Sequence, residues 1–431
     1  MKVYFVVLLL VIIQSKNIMT HTLSPKRELL LLLTLAGIQF TSILDFMIMM
    51  PLGPQFTQLF HISDAQFGLL VSAYTLAAGF SGLLASTYID KVSRKTLLLT
   101  LYPLFALATL ACGLATSYEF LMGARIAAGL FGGVLMSLSQ TIVGDVIPFE
   151  RRGRAMGIIM TSFSVATVLG VPLGLFVAAH FSWHATFIGI AVLAGLFAVF
   201  AAFTLPPLHH HLSLSGRPSA FEGIRQVLAD PNHLKAFLFS VLIMFAGFTV
   251  IPYITIYMQI NVGIHVDQIP YIYLAGGVVT FFTARIFGRL TDSYGKAETF
   301  RVMAVLVVIP LMAITLLPPL TIWYVVPIST MLFVFMSGRM IPGMAILTSA
   351  ADPRLRGTFM TLNSSVQSAA MGVAAYVGGS LISRDAMGHV QGYWMAAVVG
   401  STASILAMLF VGKIRMDGIS RSQVVKEASE G

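Results

Sequence analysis

Two ionisable side chains lie where an apolar chain would be expected to carry none. Asp45 sits in AGIQFTSILDFMIMMPLGP and Arg125 in FLMGARIAAGLFGG. Asp45 falls 17 residues past Glu28 (45 − 28), which is ~25 Å along a helix rising about 1.5 Å per residue. A carboxylate at that depth is expensive and by default marks a proton or ligand site. The chemistry on offer is reversible protonation, or service as counter-ion to a cationic substrate. The competing reading sets Asp45 near the outer interface, satisfied by water and by Thr41 or Ser42 one turn back. Arg125 needs a carboxylate partner at its own depth, and Asp45 and Glu119 are the candidates. If Asp45 and Arg125 pair, protonating Asp45 releases Arg125, and substrate and proton compete. Competition of that kind is antiport.

A second group of charges repeats. Leu83 to Lys95 reads LLASTYIDKVSRK and Gly288 to Lys296 reads GRLTDSYGK, each a short charged hinge between long apolar runs. Asp292 follows Asp90 by 202 residues (292 − 90), and Arg356-Gly357 follows Arg152-Gly153 by 204 (356 − 152). Charged hinges at nearly constant spacing in an apolar background are the mark of a duplicated membrane protein. Asp90 and Asp292 fall at helix ends, where an anion can face the positive N-terminus of a neighbouring helix. Arg94 and Lys95 can pair with Asp145, and Lys296 follows Asp292 as they follow Asp90. Such a cluster would latch two halves of the molecule on one face. Exposed ion pairs contribute only ~0–1 kcal/mol each, enough to bias a rocking equilibrium without locking it. The alternative is that these charges merely solvate loops and set topology.

Composition decides what surrounds these residues. The chain has 431 residues, of which 57% are hydrophobic and only 10% charged, against about 25% charged in a soluble domain. The net charge of +9 does not indicate a nucleic-acid partner, because the bases sit in short loops between apolar runs. The single cysteine, Cys112, excludes an intramolecular disulfide. Stretches long enough to span, ~20 residues each, group into a first half over 29–205 and a second over 236–411. Residues 206–235 form a polar linker between them, and 412–431 a tail. Residues 1–28 precede the first span; within them Val3–Ile13 is too short to cross, and a working start at Met19 is favoured. Bases crowd one face of this topology and only Arg384 falls on the other. By the positive-inside rule both termini and the linker are therefore expected in the cytoplasm, with the chain in a bacterial inner membrane.

The remaining candidates are packing and lining residues. Gly170 and Gly174 make a small-residue face, and Pro172 between them frees a carbonyl and bends the helix. A substrate cavity would draw on Gln39, Tyr74, Gln140, Tyr253, Tyr257, Arg339, Asn363 and Gln367, although buried polar groups also satisfy one another. His209 to His211 read as a solvated linker, and no metal or cofactor is expected. No phosphate-binding glycine loop, zinc spacing or nucleophile–base arrangement is present, so an enzyme is not indicated.

The hinges resemble the major facilitator superfamily pattern G-x-L-x-D-x-x-G-[RK]-[RK]. The second copy matches through Gly288, Leu290, Asp292, Gly295 and Lys296; the first keeps Asp90, Arg94 and Lys95 but replaces both glycines. Leu121, Arg125 and Gly129 are similar to that family's L-x-x-x-R-x-x-x-G pattern. Gly170-Val171-Pro172-Leu173-Gly174 is similar to its antiporter motif, in the form found in drug and arabinose-type efflux permeases. The resemblance implies an all-α membrane protein of twelve transmembrane helices in two pseudo-symmetric six-helix bundles. It further implies a monomeric secondary transporter that exports a drug or sugar-like molecule against protons by alternating access. Uptake, or a transport-dead sensor, is the alternative.

Overall fold

The computed structural model describes residues 24–88, 92–147, 149–206, 220–351 and 355–416. Its long helices coincide with the apolar runs: α1 Pro25–Ile48, α2 Asp64–Tyr88, α3 Arg94–Gly113 and α4 Tyr118–Val146. The fifth, α5, is built of Phe149–Val165, a π-helical turn Ala166–Gly170 and Val171–His180; α6 is Trp183–Thr204. The second half supplies α7 Pro231–Val262, α8 Ile269–Tyr294, α9 Lys296–Thr315, α10 Ile322–Ala350, α11 Arg356–Ser380 and α12 Tyr393–Phe410. Among the described residues, eleven helices are long and apolar enough to cross a membrane. The one that falls short is α11, whose 25 residues include the polar run Asn363, Ser364, Ser365, Gln367 and Ser368; its length and position are consistent with a twelfth crossing. The Val3–Ile13 segment and His209–His211 lie outside the described residues. The first helix begins at Pro25, four residues (29 − 25) ahead of the expected start.

Local chemistry sets the helix ends. Ser117 Oγ accepts from Phe120 N at 3.2 Å to open α4, Ser182 Oγ from Ala185 N at 3.1 Å to open α6, and Asp230 Oδ1 from Asn232 N at 2.8 Å to open α7. These are N-caps, which satisfy amides that have no intrahelical partner. Pro172 has no N–H, so the α-helical bond to the carbonyl four residues back is lost. The backbone takes up the gap as the π turn Ala166–Gly170.

Bonds between helix ends show that the helices alternate in direction. Lys95 at the start of α3 donates to Leu205 O just past α6 at 2.6 Å. Asn232 at the start of α7 donates to Ala350 O at the end of α10 and to Arg415 O past α12. These ends form the basic face. On the opposite face, His184 at the start of α6 meets Gly113 O at the end of α3 at 2.8 Å, and Asn261 in the last turn of α7 pairs with Val390 ahead of α12.

The apolar core has three parts. Towards the basic face each half has its own: one cluster includes Leu35, Ile38, Phe105 and Leu138, the other Phe239, Phe300, Ile346 and Phe359. Towards the opposite face a single cluster joins both halves, with Ile48, Phe56 and Phe67 packed among Tyr253, Ile254 and Ile256. The halves are therefore fused at one end and separately packed at the other. Along the seam, α2 and α11 approach closely enough that a Cβ on Gly79 would lie 2.9 Å from Ser365 O. A Cβ on Gly277 of α8 would lie 2.9 Å from Val168 Cα in α5. Glycine permits such backbone contact.

Candidate functional site

Asp45 and Arg125 meet. Arg125 Nη1 lies 2.8 Å from Asp45 Oδ2 and 3.4 Å from Asp45 O, with both side chains fully inaccessible to solvent. Glu119, the competing partner, is exposed in the first turn of α4. Tyr74 of α2 covers the guanidinium, its ring centroid 4.4 Å from Arg125 Cζ, a cation–π arrangement strengthened by burial. Phe46 stacks on Tyr74 at 5.5 Å and touches Phe248 of α7 at 6.1 Å, so the aromatic chain runs from the ion pair into the other half.

The small-residue motifs position this pair. A Cβ on Gly129, one turn below Arg125, would sit 2.3 Å from Tyr74 O. That glycine lets α4 approach α2 until Arg125 reaches beneath Tyr74. Gly170 packs on Leu44 and Gly174 on Ile48, so they bracket Asp45 on α1, and Thr186 donates to Gly174 O at 2.9 Å. Gly170, Pro172 and Gly174 thus brace α1 within their own half. Towards the other half, α5 meets α8 through Thr167 and Val168, against Gly277, and through the segment Val171–His180. Gly378 of α11, 204 residues after Gly174 (378 − 174), packs on Thr249 O within the second half, and its neighbour Gly379 faces across, against Asp64 O and Ala65 of α2.

The site is incompletely satisfied. Among the described residues, Arg125 Nε and Nη2 and Gln39 Oε1 are buried without a well-formed hydrogen bond, and Thr109 approaches the Asp45 carboxyl only in poor geometry. Polar atoms left without well-formed bonds in a medium of low dielectric are costly.

Only part of the expected cytoplasmic latch falls on described residues. Arg94 is buried at the first turn of α3 and Asp292 is exposed. Lys95 ties α3 to α6, and Lys296 donates to Ser349 Oγ, tying α9 to α10. Both of these bonds stay within their own half. A lysine beside the end of a helix finds unpaired carbonyls as readily as a carboxylate. Asp90 and the side chain of Asp145 lie outside the described residues.

Several residues expected to line a cavity are engaged in the fold instead. Tyr253 donates to Ala375 O, Tyr257 to Leu317 O at 3.0 Å, and Asn363 accepts from Ser240 Oγ. Arg339 is buried inside the second half, donating to Ile243 O at 3.1 Å and Ser404 Oγ at 3.3 Å. Polar groups deep in a membrane helix must find partners within the protein, which accounts for all four. Gln140 and Gln367 remain half-buried, with the Gln367 amide 3.7 Å from the Met344 sulfur. Sequence reasoning missed Asp64 entirely. Its carboxylate forks with Arg384, 320 residues away.

The fold agrees with comparison to known proteins. Over residues 35–375 the chain matches the model of the Major Facilitator Superfamily. A Bacillus subtilis (strain 168) protein described as the MFS-type transporter YtbD is 25% identical over 368 residues, covering 84% of this chain and 88% of that one. Among solved structures, the fold is similar to a bacterial homologue of the human lysosomal transporter Spinster, inward-facing and occupied. The TM-score there is 0.73 at 16% identity, covering 92% of this chain and 99% of that one. It is also similar to a D-xylose–proton symporter, with a TM-score of 0.71 at 16% identity and coverage of 91% and 98%. With a family model matched over most of its length and a bundle of long apolar helices to carry it, this chain belongs to the major facilitator superfamily.

Proposed function

We propose that the protein is a proton-coupled antiporter that exports a small organic molecule by alternating access, with Asp45 as the proton carrier. The observation that carries this reading is the fully buried Asp45–Arg125 pair, opposed charges joined through a single guanidinium nitrogen. Protonating Asp45 removes the counter-charge of Arg125, and the desolvated guanidinium must then find another acceptor or move. Tyr74, Phe46 and Phe248 link that displacement to α7 in the second half. The separate apolar cores at the basic face leave room for the halves to part there, and the positive-inside rule makes that face cytoplasmic. On this reading residues 206–235 are a cytoplasmic linker between halves spanning 29–205 and 236–411, and the protein works as a monomer in a bacterial cell membrane.

The test is reconstitution in vesicles enclosing a pH dye, screened for compounds that drive proton flux. Flux that depends on a compound and disappears in Asp45→Asn supports the reading; flux unchanged by the substitution removes Asp45 from the mechanism. Proton-coupled uptake is the second reading, favoured by the fold shared with a D-xylose–proton symporter. It predicts compound and proton moving in the same direction. Binding without flux would favour a sensor.

A further inference from the structure

We propose that Asp64 and Arg384 form a clamp that holds the halves together at the face opposite the basic one, and that this clamp must break for that face to open. Asp64 is the first residue of α2, in the first half; Arg384 follows α11, in the second. Arg384 Nε lies 3.0 Å from Asp64 Oδ2 and Nη2 lies 2.9 Å from Oδ1, a two-bond fork. Asp64 is 3% exposed, so the fork is shielded on the acid side and outlasts an ordinary surface pair.

The arginine is held ready. Ser383 and Arg384 pair antiparallel with Gln391 and Val390 in a two-stranded hairpin. Asp385 Oδ1 accepts the Met387 and His389 amides at 2.9 and 2.8 Å. Asn261 of α7 grips both the N–H and the C=O of Val390 at 2.9 Å. The guanidinium therefore comes from a braced hairpin rather than a loose loop, and little freedom is lost on forming the fork. Beneath it the seam is tight: Ser72 Oγ donates across to Gly372 O at 2.6 Å, and Phe67 meets Tyr253 edge-on at 6.0 Å. The clamp closes the rim of the apolar cluster that fuses the halves.

This inference does not depend on the cargo, on proton coupling or on which face is cytoplasmic, so its test is separate from that of the antiporter. Ser72 is 1% exposed. Ser72→Cys in a Cys112→Ala background gives one thiol at the closed seam, and its rate of reaction with a small maleimide in detergent reports opening. Asp64→Asn and Arg384→Gln are each expected to raise that rate about tenfold, and the double variant no further, because one interaction is lost in every case. Arg384→Lys keeps the charge but not the fork and is expected to fall between. Rates unchanged in monodisperse single variants would overturn the clamp, as would effects of the two substitutions that simply multiply.

Discussion

Arg125 holds Asp45 through one guanidinium nitrogen, Nη1, which reaches both Asp45 Oδ2 and the Asp45 backbone carbonyl. A complete fork would have used two nitrogens and both oxygens. The half-made pair is the asymmetry expected of a switch rather than a strut. Removing either partner alone strands a buried charge, at a cost of about 3–5 kcal/mol, whereas an apolar pair of similar volume can be neutral. Arg125→Met is therefore expected to lower the melting temperature in detergent strongly. Asp45→Leu combined with Arg125→Met should recover most of the loss while abolishing compound-driven proton flux. A double variant no more stable than the single would argue that the pair is a packing element.

Gly129 offers a test of how α4 is seated. A methyl group there meets Tyr74 O at 2.3 Å, and backbone cannot swing aside as a side chain can. Gly129→Ala is expected to destabilise by about 1–3 kcal/mol through overpacking and to weaken flux by shifting Arg125. Gly195→Ala in α6, where a Cβ meets nothing within 4 Å, should be neutral or stabilising by up to about 1 kcal/mol, since alanine is the better helix former. Equal thermal shifts in the two variants would contradict the close approach.

The hairpin carries a pH dependence. The Asp385 carboxyl is held below the usual range, chiefly by the His389 amide and further by the Gln391 side chain and the Met387 amide. A folded-state value below the unfolded one means that the bonds stabilise the hairpin above the ordinary aspartate value of about 3.9 and are lost as pH falls through the lower folded value. A spin label at Met387→Cys, an exposed position, should be equally ordered at pH 7 and pH 5 and loosen only in stronger acid. Adding Asp385→Asn should loosen it at every pH. Loosening between pH 7 and 5 in the parent would contradict the assignment.

Much of this was legible in the sequence, for reasons that differ by residue. Asp45 and Arg125 are opposite charges in apolar surroundings, so each constrains where the other can be. The alternation of apolar run and charged hinge yields the bundle, although the polar run from Asn363 to Ser368 leaves α11 less apolar than the other spans. The bond from Lys95 to the Leu205 carbonyl could not be foreseen, because a lysine's acidic neighbours are visible in sequence and a helix-end carbonyl is not. Asp64 gave no warning: an acid at a helix N-terminus is ordinary, and nothing in a linear chain joins it to an arginine 320 residues on.

The apolar cluster shared by both halves has a thermal consequence. Parting the molecule at the clamped rim wets surface that parting at the basic rim leaves dry. That penalty is a hydration effect, largely entropic near room temperature and weakening as water is cooled. Chilling should therefore erode the preference for the clamped arrangement, and warming within the native range should deepen it, with no change in any charge.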